Sequence, residues 1–428
     1  MSGGGPGVAG GPCLAGDPGA SRCFAGDPGS SRCFAGDPAE PAASRCVAGD
    51  PAGLASPGAV AADSVTVVVP TVGRPSLQRT LAPLAGLTVV VVDDRPGVLA
   101  LDVPAGTSVL RSGGRGPAAA RNVGWRAATT PWVAFLDDDV QPPETWAQDL
   151  LRDLGAAGRR VGGVQGRIVV PVPERPTDWE RSTQGLEAAA WATADLAYRR
   201  EVLARVGGFD ERFPRAYRED ADLGLRVTDA GWLITTGERV VVHPVRPARW
   251  TQSIRSQRGN ADDVLMRALH GRDWRRRAQV PRGRRRWHLA TTAGLLAVGH
   301  PRTRLPGAML WVVLTADFAG RRIAPGPRTP AEMATMVATS AVLPVAATWH
   351  WLAGWARLRR LLSLAGPAPG DSTGSAARGG QLAEHLARAP GQLAEDLAAA
   401  PGQLAEERPP AAPGQLAEDR HPSRRRTA

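Results

Sequence analysis

Short apolar runs that lead directly into carboxylates constrain the fold more than any other feature of this sequence. Residues 132–136 lead into three aspartates at 137–139, and residues 87–92 lead into an aspartate pair at 93–94. Runs this continuous predict strands that are buried on both faces of a sheet. In an open α/β sheet, ligands bind beyond the carboxyl ends of the strands. The pattern therefore predicts a mostly parallel sheet with a ligand site at the ends of its strands.

The flanking segments fit an alternation of strands and helices. Residues 65–69 predict a further strand, and Pro75 suits the first turn of a helix. Pro117 opens another predicted helix, and a third runs from Glu219 through Gly231. Strands that alternate with helices are typical of an α/β fold with a parallel sheet.

The aspartates at 137–139 would repel one another unless a positive charge lay between them. Hard cations such as Mg²⁺ take oxygen ligands, and commonly use one or two carboxylates together with substrate phosphates. A divalent cation that carries a phosphorylated ligand is therefore one interpretation. The other is an ordinary acidic turn, or a helix cap ahead of Pro142 and Pro143.

Both ends of the chain are low-complexity repeats. Residues 1–62 contain four copies of a Cys-x-Ala-Gly-Asp-Pro unit, and residues 366–428 contain four copies of Gly-Gln-Leu-Ala-Glu. Their apolar side chains are too few to offset the entropy of ordering, so both tails are predicted to be disordered. All four cysteines lie in the first tail. Their spacings match no zinc pattern, and a metal or redox role is not favoured.

The sequence has no lysine, so its 52 basic residues are all arginines. A phosphate-binding loop that ends in Gly-Lys-Ser/Thr and a lysine Schiff base are therefore excluded. The N-terminus does not have the charged and then apolar layout of a secretory signal. We therefore expect the globular part of the chain to face the cytoplasm.

Arginines concentrate in residues 251–288, a segment predicted to be helical. Between Arg246 and His288 there are 13 arginines and three aspartates, whereas the whole chain has a net charge of +11. Such a cluster fits nucleic acid or the anionic cytoplasmic face of a membrane. Nucleic acid is not favoured, because aromatic residues do not alternate with the arginines as stacking requires.

The segment that follows, residues 289–365, is apolar. Residues 333–356 contain no charged side chain and are long enough to span about 30 Å of hydrocarbon as a helix. Pro344 and His350 weaken that interpretation, whereas the tryptophans near Arg357 would suit a membrane interface. We expect the segment to be membrane-associated, either spanning or lying in the interface. The alternative is a helical extension that packs against the main domain.

Five segments within residues 63–250 together resemble the family-2 glycosyltransferases. They are Val67-Val-Val-Pro-Thr71, Val91-Val-Asp-Asp94, Ala118-Ala-Ala-Arg-Asn-Val-Gly124, Phe135-Leu-Asp-Asp-Asp139, and Gly207-Gly-Phe-Asp-Glu211 continuing to Arg218-Glu-Asp-Ala-Asp-Leu-Gly-Leu-Arg226. Each segment alone is a weak signal, but the ordered set is specific. The resemblance implies an α/β domain of the GT-A type, a Rossmann-like and mostly parallel sheet flanked by helices that binds a nucleotide sugar.

The resemblance assigns donor-binding roles to residues on the first strands and on the helix after them. The aspartate pair after the second strand resembles the one that contacts the base or ribose, and carboxylates can accept hydrogen bonds from both. Arginine suits the pyrophosphate, through paired charge-assisted hydrogen bonds. The alternative for the aspartate pair is a cap before Pro96. The donor-binding candidates are Pro70, Asp93, Asp94, Arg121, Asn122 and Asp138.

The three aspartates resemble the metal-binding Asp-x-Asp motif of the family. Because side chains two apart lie on one side of an extended chain, Asp137 and Asp139 are the predicted ligands and Asp138 points away. His243 matches a histidine that completes the metal site in some GT-A enzymes, although a lone histidine is more often structural. The implied cofactor is Mn²⁺ or Mg²⁺, which would neutralise the leaving diphosphate.

Asp220 matches the catalytic base of the family. The reaction needs one carboxylate within hydrogen-bond reach of the acceptor hydroxyl, and a single displacement inverts the configuration at the anomeric carbon. Glu219 and Asp195 match positions that contact the sugar or the acceptor. For Asp222 and Arg226, four residues apart on one helix, we expect a local ion pair.

The implied function is an inverting transfer of one sugar from a nucleotide-diphosphate sugar to an acceptor hydroxyl, in cell-envelope or lipid-linked glycan synthesis. Processive members of the family carry Gln-x-x-Arg-Trp, whereas here Gln252-Ser-Ile-Arg255 is followed by Ser256, which favours transfer of one sugar per encounter. The alternatives are a nucleotidyltransferase on a similar sheet and an inactive nucleotide-sugar-binding scaffold. The expected location is the cytoplasmic face of the cell membrane.

Overall fold

Residues 60–97 and 100–364 are described by the structure, a computed structural model of the chain. The cysteine repeats before residue 60 and the tail from residue 365 onward lie outside these ranges. The disorder expected of the two tails therefore stays a prediction.

Seven strands form one sheet in the described part of the chain. They are β1 (Val65–Thr71), β2 (Thr88–Asp93), β3 (Ser108–Arg111), β4 (Trp132–Leu136), β5 (Val161–Val169), β6 (Asp195–Arg199) and β7 (Leu233–Val242). Their order across the sheet is β3-β2-β1-β4-β6-β5-β7. Only β6 among them is antiparallel to its neighbours β4 and β5. The predicted architecture, a mostly parallel sheet flanked by helices, is confirmed.

The helices that connect and follow the strands are α1 (Leu77–Leu81), α2 (Pro117–Ala127), α3 (Trp146–Gly155), α4 (Asp178–Gln184), α5 (Arg200–Val206), α6 (Glu219–Asp229), α7 (Gln252–Ser256), α8 (Asn260–His270), α9 (Trp274–Arg277), α10 (Arg285–Ala297), α11 (Arg304–Ile323) and α12 (Pro330–Leu364). Short 3-10 turns cover Ala62–Ser64, Ala82–Leu84, Gly185–Ala188 and Gln257–Gly259.

Each face of the sheet carries its own hydrophobic core, as the continuous apolar runs predict. Along β4, Ala134 and Leu136 face one cluster while Val133 and Phe135 face the other, because successive side chains of a strand point to opposite faces. Helices α1 and α3 cover the first face. Helices α2, α5 and α6 cover the second. A sheet buried on both faces leaves its strand ends as the accessible polar edge.

A third cluster joins the C-terminal helices to this domain. Trp351 and Leu358 of α12 pack in it with Phe213, Leu225 of α6 and Met266 of α8. One face of α12 is therefore protein core, as the alternative of a packed helical extension requires.

The C-terminal helices also expose apolar side chains. The candidate membrane span covers Pro330–Arg360, with mean hydropathy 1.3, and 33% of its most apolar stretch is buried. No second helix in the described residues is long and apolar enough to cross a membrane. On α11, Leu305, Met309 and Val313 are 75%, 68% and 61% exposed, and they are spaced four residues apart on one helix face. This exposed stripe on α11, together with α12, is the surface that a membrane would have to contact.

Candidate active site

The acidic residues predicted from the sequence lie at one edge of the sheet. Strands β2, β4 and β7 point in the same direction, so their carboxyl ends share that edge. Asp93 is the last residue of β2, the aspartates 137–139 follow β4, and His243 follows β7. Because β4 lies between β2 and β7 in the strand order, the three aspartates sit in the middle of the edge.

The first two aspartates at the end of β4 have different positively charged or hydroxyl partners. An Asp137 carboxylate oxygen accepts a hydrogen bond from Arg121 Nη2 at 2.8 Å. Asp138 is 1% exposed, accepts from Thr71 Oγ1 at 2.6 Å, and forms an ion pair with Arg74. Burial raises the pKa of Asp138, and the charge of Arg74 opposes that rise. Asp138 is therefore tied to the end of β1.

Asp139 faces the far side of the edge, toward β7. Its Oδ1 atom lies 3.6 Å from His243 Nε2, and its Oδ2 atom lies 3.2 Å from Arg246 Nε. The strand ends at Leu136 and residues 138–139 form a turn. The side-chain alternation assumed for Asp137 and Asp139 therefore does not extend through the triplet, and these two aspartates have separate partners.

Arg121 links the end of β4 to the start of α6. It is 2% exposed, and its Nη1 and Nη2 atoms lie 2.8 Å from Glu219 Oε1 and 2.8 Å from Asp137 Oδ1. Burial lowers its pKa, but the charges of Asp137 and Glu219 outweigh that effect and raise the pKa above the ordinary value. Arg121 Nε and Glu219 Oε2 are buried without a hydrogen-bond partner among the described residues. The fold thus brings one guanidinium and two carboxylates together from three parts of the chain.

Burial makes the two acids at the start of α6 weaker than usual. It raises the pKa of Glu219 to about 8, with a further contribution from the charge of Asp220. Burial also raises the pKa of Asp220, and the charge of Asp137 acts in the same direction. The charge of Arg121 lowers both pKa values. A carboxylate with a raised pKa is a stronger base, which is the property that proton abstraction needs.

The start of α6 is fixed by a residue in a strained conformation. Arg218, at the N-cap, has φ of 78°, in the left-handed region that non-glycine residues rarely adopt. Its Nε atom lies 2.9 Å from Asp263 Oδ1, and its Nη2 atom donates to Tyr217 Oη at 2.7 Å. Helix α8 therefore holds the turn that presents Glu219 and Asp220.

Both aspartates after β2 accept hydrogen bonds from neighbouring protein groups. Asp93 is 1% exposed, and the hydrogen bond from Arg95 lowers its pKa. Asp94 accepts from Ser112 Oγ at 2.6 Å and from the Gly116 backbone N–H at 3.0 Å, just before α2. Pro70, half-buried, pairs with Val92 on the neighbouring strand. These residues lie at the β2 end of the same edge.

Asn122 connects α2 to the Gly207-Gly-Phe-Asp-Glu segment. Its Nδ2 atom donates to Phe209 O at 2.9 Å and to Glu211 Oε1 at 2.9 Å. Its Oδ1 atom accepts from the Phe209 N–H and from Trp125 Nε1. The side chain is 1% exposed, so the structure supports a role in positioning that segment.

Asp195 is buried at the amino end of β6. It is 0% exposed and accepts from Trp146 Nε1 at 2.9 Å and from Arg239 Nε at 2.8 Å. Arg239 also pairs with Asp153 at 3.0 Å. Because β6 is antiparallel, its first residue lies at the edge of the sheet where the other strands end. The side chain of Asp195 is nevertheless buried there. The structure therefore supports a scaffolding role for Asp195.

Arg74 and Arg246 are functional candidates that the sequence reasoning did not identify. Arg74 lies in the Pro70–Pro75 turn, and Arg246 lies three residues after His243, so both follow strand ends.

The predicted ion pair of Asp222 with Arg226 is present at 2.6 Å. His270 of α8 also contacts Asp222, at 2.8 Å, which sequence spacing cannot indicate.

Asp139 and His243 fit a divalent cation that also binds substrate oxygens. The described residues contain no group of three or more His, Cys, Asp or Glu side chains able to hold a metal by themselves. Mg²⁺ commonly takes one or two carboxylates plus phosphate oxygens, so Asp139 and His243 are enough ligands from the protein. His243 Nδ1 is buried without a partner in the described part of the chain. Asp137 is bound to Arg121 and lies apart from this pair.

Residues 66–221 match the model of glycosyl transferase family 2. The matched segment runs from β1 to the first residues of α6 and includes the aspartates 137–139 and Arg121. This part of the chain is a family-2 glycosyltransferase domain.

Two curated relatives and two solved structures are similar to parts of the chain. Pre-mycofactocin glycosyltransferases from two strains of Mycobacterium tuberculosis are 35% identical over 189 residues, covering 39% of this chain and 39% of each relative. The chain thus spans about two-fifths of the length of the curated relatives it matches.

The two structures show a more distant likeness. GalNAc-T7 with UDP, GalNAc and Mn²⁺ has a TM-score of 0.34 and 16% identity, covering 43% of each chain. Glucosyl-3-phosphoglycerate synthase from Mycobacterium tuberculosis, with Mn²⁺, UDP and phosphoglyceric acid, has a TM-score of 0.34 and 16% identity over 47% of this chain and 78% of that chain.

Proposed function

We propose that the protein transfers one sugar from a nucleotide-diphosphate sugar to an acceptor hydroxyl, with inversion at the anomeric carbon. The observation that carries this proposal is the buried cluster in which Arg121 joins Asp137 to Glu219, next to Asp220. It lies within the segment that matches the glycosyltransferase family.

Asp220 is the proposed catalytic base. Its raised pKa strengthens it as a proton acceptor, and it is half-buried rather than sealed in the interior. As the acceptor oxygen bonds to the anomeric carbon, the hydroxyl proton passes to the Asp220 carboxylate and the bond from that carbon to the diphosphate breaks. Glu219 and Arg121 are positioning residues, because their ion pair fixes the start of α6 against β4.

Nucleotide recognition is proposed at the β2 end of the edge. Pro70, Asp93 and Asp94 would face the base and ribose, since carboxylates accept hydrogen bonds from N–H and hydroxyl groups. Asp138 acts indirectly, by holding Arg74 close to the end of β1. A guanidinium there suits a diphosphate.

A divalent cation, Mn²⁺ or Mg²⁺, is the proposed cofactor. Asp139 and His243 would hold it, whereas Asp137 pairs with Arg121 and takes no part in the proposed site. When bound, the cation supplies charge neutralisation for the leaving diphosphate. Arg246 contacts the same carboxylate and would have to release it for a cation to bind.

The acceptor and the cellular setting are also proposals. The curated relatives are named for action on pre-mycofactocin, which makes a related small molecule one candidate acceptor. The exposed stripe on α11 and the long apolar helix α12 favour association with the cytoplasmic face of the membrane, with a lipid-linked glycan as a second candidate. The Ser256 replacement in the Gln252 segment supports transfer of a single sugar.

Asp220→Asn tests the proposed reaction. We expect a loss of at least about 10²-fold in sugar transfer, the scale of a general base, with nucleotide binding kept. The matched control is Asp229→Asn, which changes an exposed aspartate at the other end of the same helix and should leave transfer unchanged. Full activity of a folded Asp220→Asn protein would refute the assignment. Pyrophosphate release from a nucleoside triphosphate would instead indicate a nucleotidyltransferase, and no turnover of any nucleotide sugar would indicate a scaffold.

A further inference from the structure

A large cavity lies between part of the glycosyltransferase domain and the C-terminal helices. Its volume is about 820 Å³, within the range of about 300–1,000 Å³ typical of small-molecule sites. Its walls come from α4, from residues 245–250 after β7, and from α7, α10, α11 and α12. The cavity therefore combines the family-2 segment with helices that lie beyond it.

Part of the cavity wall is apolar. Phe318 of α11 and Met336 and Leu343 of α12 line it, and the last two are 3% and 4% exposed. His288 of α10 also lines this wall, and burial lowers its pKa to about 4, so the ring is neutral at physiological pH. The Arg322 guanidinium also lines the cavity, but it is paired with Asp178 at 2.7 Å, so the apolar side chains favour an aryl or alkyl group over a free phosphate.

The mouth of the cavity is polar, and one of its lining residues contacts the proposed metal site. Arg246 lines the cavity and its Nε atom lies 3.2 Å from Asp139 Oδ2. Trp179 fixes this segment by donating to Arg246 O at 2.8 Å. Ser253, also in the wall, has a buried Oγ atom without a partner in the described residues. A ligand hydroxyl or amide could satisfy that atom.

Strand order places the cavity on the side of Asp139 away from the nucleotide-binding candidates. Asp93 and Asp94 follow β2, whereas the cavity adjoins the segment after β7, and β4 lies between these strands. A donor nucleotide at β2 therefore leaves the cavity free for the second substrate.

We propose that this cavity binds the apolar part of the acceptor, so that the acceptor is an amphipathic molecule with an aryl or alkyl group beside the hydroxyl that receives the sugar. This inference rests on the proposed transfer reaction. It adds the class of acceptor and assigns its recognition to α11 and α12.

Two glucosides that differ only in their apolar group test the inference by binding to the full chain. 4-Nitrophenyl β-glucoside and methyl β-glucoside are titrated against the protein and followed by ligand-observed NMR. The wild-type chain should prefer the nitrophenyl glucoside by about tenfold, the size expected for burying one aryl group. Met336→Trp, which fills the cavity, should remove most of this preference. Val337→Trp is the matched control, because Val337 is 55% exposed on the same helix, and it should keep the preference.

Leu343→Ala provides a second variant that removes contacts instead of filling space, in case Met336→Trp does not fold. It should also reduce the preference. The inference is overturned if the wild type binds both glucosides equally, or if the preference survives in both cavity variants. Binding does not require turnover, so these outcomes are independent of the Asp220→Asn result: an inactive chain that prefers the nitrophenyl glucoside would contradict the reaction and retain the binding site.

Discussion

At the scale of single residues, the site consists of carboxylates whose partners determine what each can do. Asp137, Asp138 and Asp139 are adjacent in the sequence, yet they contact Arg121, Arg74 and the His243–Arg246 pair respectively. Neutralising them separately avoids the repulsion that three adjacent charges would otherwise cause. The consequence is a division of roles, with Asp139 left nearest to the proposed cation.

Arg121→Gln should move the acid limb of the pH–activity profile to higher pH. A base must be deprotonated to act, so activity falls as the pH drops through its pKa. The charge of Arg121 lowers the pKa values of Glu219 and Asp220, so its removal raises both. Arg121→Lys keeps the charge and should leave the limb closer to its wild-type position. The measurement is transfer rate against pH for proteins with native circular dichroism, and an unmoved limb in Arg121→Gln would contradict the coupling.

His243→Ala should weaken Mn²⁺ binding by at least about tenfold, because it removes one of two proposed protein ligands. Mn²⁺ binding in the presence of a nucleoside diphosphate can be followed by electron paramagnetic resonance, which does not depend on turnover. His300→Ala, at an exposed position between α10 and α11, is the control and should bind Mn²⁺ normally. Equal Mn²⁺ affinity in all three proteins would remove His243 from the metal site.

At the scale of elements, α2 and α6 are the parts that assemble the site. Helix α2 carries Arg121 toward β4 and α6, and its next residue, Asn122, bonds the segment around Phe209. The Gly207-Gly208 pair permits this close approach. A Cβ atom on Gly208 would lie 2.6 Å from Asn122 Oδ1 and 2.5 Å from Trp125 Nε1, and its φ is 72°.

Gly208→Ala should therefore destabilise the protein by about 2–4 kcal/mol, from backbone strain together with steric overlap. Gly231→Ala is the matched control, since φ there is 87° but nothing lies within 4 Å of an added Cβ atom. It should cost only about 1 kcal/mol, from strain alone. Urea unfolding of both variants gives the comparison, and equal losses of unfolding free energy would show that the contact with Asn122 does not matter.

At the scale of the whole molecule, the C-terminal helices have one face in the protein and one face outside. Arg322 of α11 pairs with Asp178 of α4 at 2.7 Å and donates to Thr339 and Ser340 of α12. These contacts hold α11 and α12 to the domain and close the cavity between them. The opposite face, with the exposed stripe on α11, is where a lipid surface is proposed.

The double variant Met309→Glu/Val313→Glu should abolish binding to vesicles that contain anionic phospholipid, because it places two charges in the exposed stripe. Co-sedimentation of the full chain with the vesicles is the measurement. Val169→Glu is the control, at a 43% exposed position on β5. Unchanged sedimentation of the double variant would show that the stripe does not contact lipid.

The element pattern and the location of the site could be predicted because both are local properties of the chain. Strands β1, β2 and β4 were predicted from apolar runs, and β2 and β4 end next to the expected aspartates. The expected helix starting at Glu219 ends at Asp229, two residues before Gly231. The antiparallel strand β6 and the short β3 were not predicted, because neither has a long apolar run and both depend on neighbours for pairing.

The sequence by itself determined that carboxylates would collect at the ends of buried parallel strands, since strand burial and strand direction follow from residue pattern. Only the tertiary structure decided how each carboxylate is used. Arg121 pairs with Glu219, which lies 98 residues further along the chain. Asp195 is buried where it pairs with Arg239. The cavity beside Arg246 likewise forms only where α11 and α12 lie beside the segment that follows β7. Such pairings depend on which side chains approach one another in space, and spacing along the chain does not encode that.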